Sequence, residues 1–67
     1  MSQLRVGIAG YGVIGKRRRL CVDANPHLKT VAVCDKKFSD DGQLDDGVAY
    51  SQSYSKLFNH DLDAVLV

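Results

Sequence analysis

Three glycines in six residues, Gly10-Tyr11-Gly12-Val13-Ile14-Gly15, constrain this chain more than any other feature because of what flanks them. Before them runs Leu4-Arg5-Val6-Gly7-Ile8-Ala9, a short β-branched and apolar stretch with the length and character of a strand buried in a parallel sheet. After them Val13, Leu20, Cys21 and Ala24 recur at i, i+7, i+8 and i+11, the spacing of one apolar helix face of the kind that turns toward a core. Arg18, Arg19, Val22 and Asp23 fall mostly on other faces. A glycine turn that joins a strand to a helix places the chain in the α/β class. Pro26 disfavours helix in the residue before it, so the helix is expected to stop near Asp23 to Asn25.

Lys29-Thr30-Val31-Ala32-Val33-Cys34 then reads as a second buried strand, ending at Asp35. Over residues 36–53 the apolar pattern lapses, and Asp40-Asp41-Gly42 and Asp45-Asp46-Gly47 punctuate a loop as turns. Ser53 is placed to cap a short helix carrying Tyr54, Leu57 and Phe58 on one face. Asp61-Leu62-Asp63 leads into Ala64-Val65-Leu66-Val67, the expected third strand. The order is strand, helix, strand, loop, helix, strand. Parallel strands need such crossovers, so the expected architecture is a Rossmann-type doubly wound parallel sheet: its first βαβ unit plus a third strand.

At 67 residues the chain is roughly half a typical dinucleotide-binding domain. An apolar last strand with no helix after it would leave one face and one edge of a sheet bare, so the sequence is expected to be a fragment, residues 1–67 forming the amino-terminal part of one domain. Composition excludes more than it selects. Five Lys and four Arg against eight Asp, with no Glu, leave a net charge of +1 and no overall field that favours nucleic acid or membrane. Lys16-Arg17-Arg18-Arg19 is a short run without interleaved aromatics, read as a solvated helix start, with Arg17 near the phosphate-facing end. No transmembrane span or secretory signal fits the apolar stretches. Two cysteines are too few for a disulfide framework and are read as small, reduced core residues, which fits a cytoplasmic setting. His27 and His60 are isolated and read as surface residues, and the acidic turns do not match a calcium loop.

The chemistry concentrates at the glycines. A bare G-x-G-x-x-G is a weak signal, but here it follows a strand, opens a helix, and is followed by Asp35, 35 − 15 = 20 positions beyond the last glycine. In that context Gly10 permits the tight turn, Gly12 leaves a pyrophosphate unobstructed, and Gly15 lets helix and strand pack closely. The helix amino terminus offers unpaired N–H groups and a partial positive charge to the phosphates. Asp35, at the end of the second strand, is set to accept hydrogen bonds from the adenosine ribose hydroxyls. The candidate cofactor-binding residues are therefore Gly10, Tyr11, Gly12, Val13, Ile14, Gly15, Asp35 and Lys36, with the Tyr11 ring read as packing. The Asp35 carboxylate repels a 2′-phosphate and favours NAD, whereas Lys36 and Lys37 keep NADP open. Gly10 and Gly15-Lys16 also overlap a P-loop pattern, but Arg17 stands where that loop needs Ser or Thr. A methyltransferase sheet with a different cofactor shares the same general features.

Arg5-Val6-Gly7-Ile8-Ala9-Gly10-Tyr11-Gly12-Val13-Ile14-Gly15-Lys16-Arg17, with Val31-Ala32-Val33-Cys34-Asp35, Tyr54-Ser55-Lys56-Leu57-Phe58 and Leu62-Asp63-Ala64-Val65-Leu66-Val67, resembles the Gfo/Idh/MocA oxidoreductases, the glucose-fructose oxidoreductase and inositol dehydrogenase relatives. The resemblance implies an NAD(P)-dependent dehydrogenase of sugars, cyclitols or sugar nucleotides, homo-oligomeric as the full-length parent, with Gly10, Gly12, Gly15 and Asp35 at cofactor positions. It also implies that the catalytic Lys of a Glu-Lys-Pro motif lies beyond Val67 and that substrate residues lie in a second domain, so none of these 67 residues is expected to be catalytic. Arg18 stands near the position where many members carry His, and residues 36–53 are shorter than the helix many members have there. The runner-up expectation is a non-catalytic dinucleotide-binding or sensor module.

Overall fold

A computed structural model describes residues 3–67. The elements are β1 (Leu4–Ala9), α1 (Val13–Asp23), β2 (Leu28–Cys34), β3 (Gly42–Gln43), β4 (Ala49–Ser51), α2 (Tyr54–Leu57) and β5 (Ala64–Leu66). They form an α/β fold around one mixed sheet of order β3-β4-β2-β1-β5. All pairs are parallel except β3 with β4.

The expected β1 and β2 are present, and α1 stops where Pro26 requires. Ala24 caps it, the Asn25 N–H donates to the Val22 carbonyl (3.0 Å), and the Asn25 side chain accepts the His27 N–H (2.9 Å) to turn the chain into β2. Along β1 and β2 the register slips by one between Val6 and Gly7, leaving Val31 as the extra residue in β2.

Residues 36–53 correct the expectation of a plain loop. They hold a small hairpin, β3 and β4, closed by the expected turn at Asp45-Asp46-Gly47, while Gly42 belongs to β3. β4 lies parallel to β2, with Ala32, Val33 and Cys34 opposite Ala49, Tyr50 and Ser51. Two- and three-residue strands are too short to show alternation in sequence, and the acidic turn masks them. The segment expected as the third strand is consequently the fifth, and it lies on the far side of β1 from β2. Asp63 fixes its approach: its N–H donates to the Arg5 carbonyl and its carboxylate accepts the Arg5 N–H, both at 2.7 Å.

Alternate residues of the strands feed two cores. On one face Ile8 and Val33 pack with Val48, Tyr11, Phe38, Leu44 and Tyr50, beneath α1. On the other, Ala32 and Cys34 pack with Leu57 of α2 and with Leu62 and Val65. Ile8, Val33 and Leu57 are sealed from solvent, each burial being worth about 1.5–3 kcal/mol. The chain passes from β1 to β2 by α1 on one face, and from β4 back across the sheet to β5 by α2 on the other. Two crossovers of the same hand that travel in opposite directions require this placement.

The expected core face of α1 is overturned. Val13 and Leu20 are 70% and 71% exposed, Cys21 and Ala24 are also exposed, and the buried positions are Gly15 and Val22, with Arg19 between them. A Cβ on Gly15 would lie 1.9 Å from the Gly10 carbonyl oxygen. That close approach fixes the rotation of the helix about Gly15, Arg19 and Val22, at i, i+4 and i+7, and the apolar stripe faces outward. Of the helix face expected in α2, only Leu57 is buried; Tyr54 and Phe58 stack on each other in solvent with centroids 5.1 Å apart. Cys34 is a buried thiol as expected, but Cys21 is exposed.

Candidate dinucleotide site

β1 and β5 are neighbours although the chain leaves β1 toward β2, so the strand order reverses between them. In open α/β sheets a crevice forms outside the carboxyl ends of the strands at such a reversal. The glycine turn leaves β1 at that end. Gly10 takes φ +88°, a conformation most L side chains avoid, with no heavy atom within 4 Å of where a Cβ would stand. Its N–H donates to the Cys34 carbonyl (2.8 Å), tying the turn to the end of β2. Gly12 is the N-cap of α1, and no side chain caps the helix there. The first bond into the helix is from the Lys16 N–H to the Gly12 carbonyl (2.9 Å), so the N–H groups of Val13, Ile14 and Gly15 have no intrahelical acceptor. No acidic side chain occupies the first turn. Beside the cap, Lys37 Nζ stands 3.8 Å from where a Gly12 Cβ would lie.

Two clefts meet at Asp35. The first, about 330 Å³, lies across the carboxyl ends of β1, β2 and β4 and is lined by Ala9, Gly10, Cys34, Asp35, Lys36, Gln52 and Tyr54. The second, about 300 Å³, lies on the α1 side and is lined by Tyr11, Gly12, Val13, Lys16, Asp35, Lys37, Phe38 and Leu44. Asp35 is half-buried; its backbone N–H donates to the Ser51 carbonyl (3.0 Å), and its carboxylate accepts the Lys37 N–H (2.9 Å). The candidate residues Gly10, Tyr11, Gly12, Val13, Asp35 and Lys36 thus line one cleft or the other. Gly15 is buried beneath the turn, and the Ile14 side chain, 65% exposed, lines neither. Arg17 is exposed and lines neither cleft.

Gln52 and Tyr54 were not foreseen as lining residues, because they follow β4, the strand hidden in the supposed loop. The basic run also concealed Arg19. Its side chain, 15% exposed, donates from Nη1 to Tyr11 Oη (2.9 Å), from Nε to Asp23 (3.1 Å) and from Nη2 to Asp46. Burial alone would lower its pKa, but the hydrogen bonds with Tyr11, Asp46 and Asp23 outweigh it and hold the guanidinium charge more firmly than usual. Asp46, which also accepts the Val48 N–H, is held below the ordinary carboxylate range by that bond and by Arg19. Asp41 is held low chiefly by its ion pair with Lys56 (2.5 Å).

Among the described residues no three His, Cys, Asp or Glu side chains gather into a metal site. Among the described residues no helix is long and apolar enough to cross a membrane. No protein-family model matches the chain, and neither a curated protein nor a solved structure is detectably similar to it.

Proposed function

We propose that this chain is a Rossmann-type unit that binds the pyrophosphate and adenosine half of a nicotinamide dinucleotide, serving hydride transfer to or from a sugar-like hydroxyl in a longer parent enzyme. The observation that carries the reading is that the uncapped amino terminus of α1 and Asp35 line one cleft at the carboxyl ends of β1 and β2, beside the β1–β5 pair where the strand order reverses. Free N–H groups and the helix dipole stabilise a diphosphate without a dedicated cation. Gly12 leaves that approach open, with Lys37 the nearest side-chain group to the space a Cβ would take. Asp35, anchored through its own backbone to β4 and through its carboxylate to the next turn, has capacity left for ribose hydroxyls. When bound, the nicotinamide supplies the redox chemistry, and these residues bind and orient it.

NAD is the favoured cofactor. Asp35 opposes a 2′-phosphate, Lys37 stands over the glycine turn, and Lys16 lies over the Tyr11 ring (5.9 Å), which leaves Lys36 as the cation beside Asp35 in the larger cleft. The test is Asp35→Ser, with the affinities of NADH and NADPH compared by nicotinamide fluorescence. Loss of the charged acceptor should weaken NADH about tenfold and improve NADPH relative to it. An unchanged ratio of the two affinities overturns the role given to Asp35.

A further inference from the structure

The glycine turn is tied to β2 at its first residue by the Gly10 N–H bond to the Cys34 carbonyl. Gly10 and Gly12 carry no side chain, so beyond that bond Tyr11 supplies the side chain that anchors the turn to its surroundings. Tyr11 is gripped at two points. Its hydroxyl accepts from Arg19 Nη1 (2.9 Å), and its ring stacks at 6.3 Å on Phe38, which in turn packs at 4.6 Å on Tyr50 of β4. Arg19 is held in place by a further acceptor on its own helix and another in the hairpin. Asp23, near the end of α1, also accepts from the buried Thr30 hydroxyl of β2 (2.9 Å), and Asp46 sits in the β3–β4 turn.

We infer that Arg19 is a positioning residue for the dinucleotide site: by fixing Tyr11 against the β3–β4 hairpin it presets the amides at the start of α1 and couples their order to that of the hairpin. The inference rests on the nucleotide-binding reading and deepens it. A phosphate site built from backbone amides gains affinity from being ordered before the ligand arrives, since ordering it afterwards costs conformational entropy. Arg19 touches neither cleft and acts only through Tyr11 and Asp46. Lys cannot replace it, because three acceptors on three segments need the guanidinium's fan of donors.

The experiment compares the wild type with Arg19→Met, Arg19→Lys and Tyr11→Phe, reading NADH affinity by fluorescence and backbone order parameters of Tyr11, Gly12 and Val13 by NMR without ligand. Tyr11→Phe keeps the ring and the other Arg19 bonds, so it reports on the hydroxyl link even if Arg19→Met fails to fold. Each variant should lose about tenfold in NADH affinity, with lower order confined to the turn and hairpin, and Arg19→Met combined with Tyr11→Phe should cost no more than the larger single loss. Variants that are less stable but bind NADH as tightly as the wild type reduce Arg19 to a structural tie and overturn the inference. A wild type that binds neither NADH nor NADPH overturns the nucleotide reading itself, and the positioning role with it.

Discussion

Gly10 and Gly15 are each held where one physical requirement leaves little choice. Gly10 needs a positive φ, and Gly15 faces a backbone oxygen that no side chain or rotamer change can move aside. Gly15→Ala therefore forces α1 away from the turn. Overpacking of this kind costs about 1–3 kcal/mol, and here it also displaces the free amides, so the variant should lose both thermal stability and NADH binding. Thermal unfolding followed by circular dichroism, alongside the fluorescence titration, checks this; an unchanged melting temperature would mean that helix and turn are not in the close contact described. These roles were legible in the sequence because steric demands at glycine are local. Arg19 was not legible: as one of four consecutive cations it had no mark, and only the rotation of α1 turned it inward.

That rotation shows where periodicity misleads at the scale of an element. Val13, Leu20, Cys21 and Ala24 share a face, but the close contact at Gly15 decides which face meets the sheet, and a side chain that is absent leaves no trace in an apolar pattern. The hairpin was missed for the opposite reason, being shorter than any period. Its hold on α1 is electrostatic and depends on pH in one direction. Asp46 has a folded pKa below its ordinary value, so its contribution is complete above the unfolded carboxylate value of about 3.9 and is lost as the pH falls through the depressed folded value. As the pH falls below about 3.9 the hairpin should loosen before the β1–β2 core does. Amide exchange at Leu44, whose N–H donates to the Val48 carbonyl (2.8 Å), measures this. Protection there that outlasts the core's as the pH falls would show that Asp46 does not secure the hairpin.

At the scale of the whole molecule, the alternation of strands and helices anticipated an α/β sheet and its first βαβ unit, while the strand order needed three dimensions. Placing β5 beside β1 rather than beyond β2 reverses the strand order next to the carboxyl ends of β1 and β2, where the glycine turn, the α1 amino terminus and Asp35 converge. That convergence is the site proposed to bind a dinucleotide. Titrating the protein with NADH while following nicotinamide fluorescence and ¹H–¹⁵N amide shifts tests it most directly. Binding should be saturable, with the largest shifts at Gly12, Val13, Ile14 and Asp35. No saturation, or shifts confined to residues away from the carboxyl ends of β1 and β2, would contradict it.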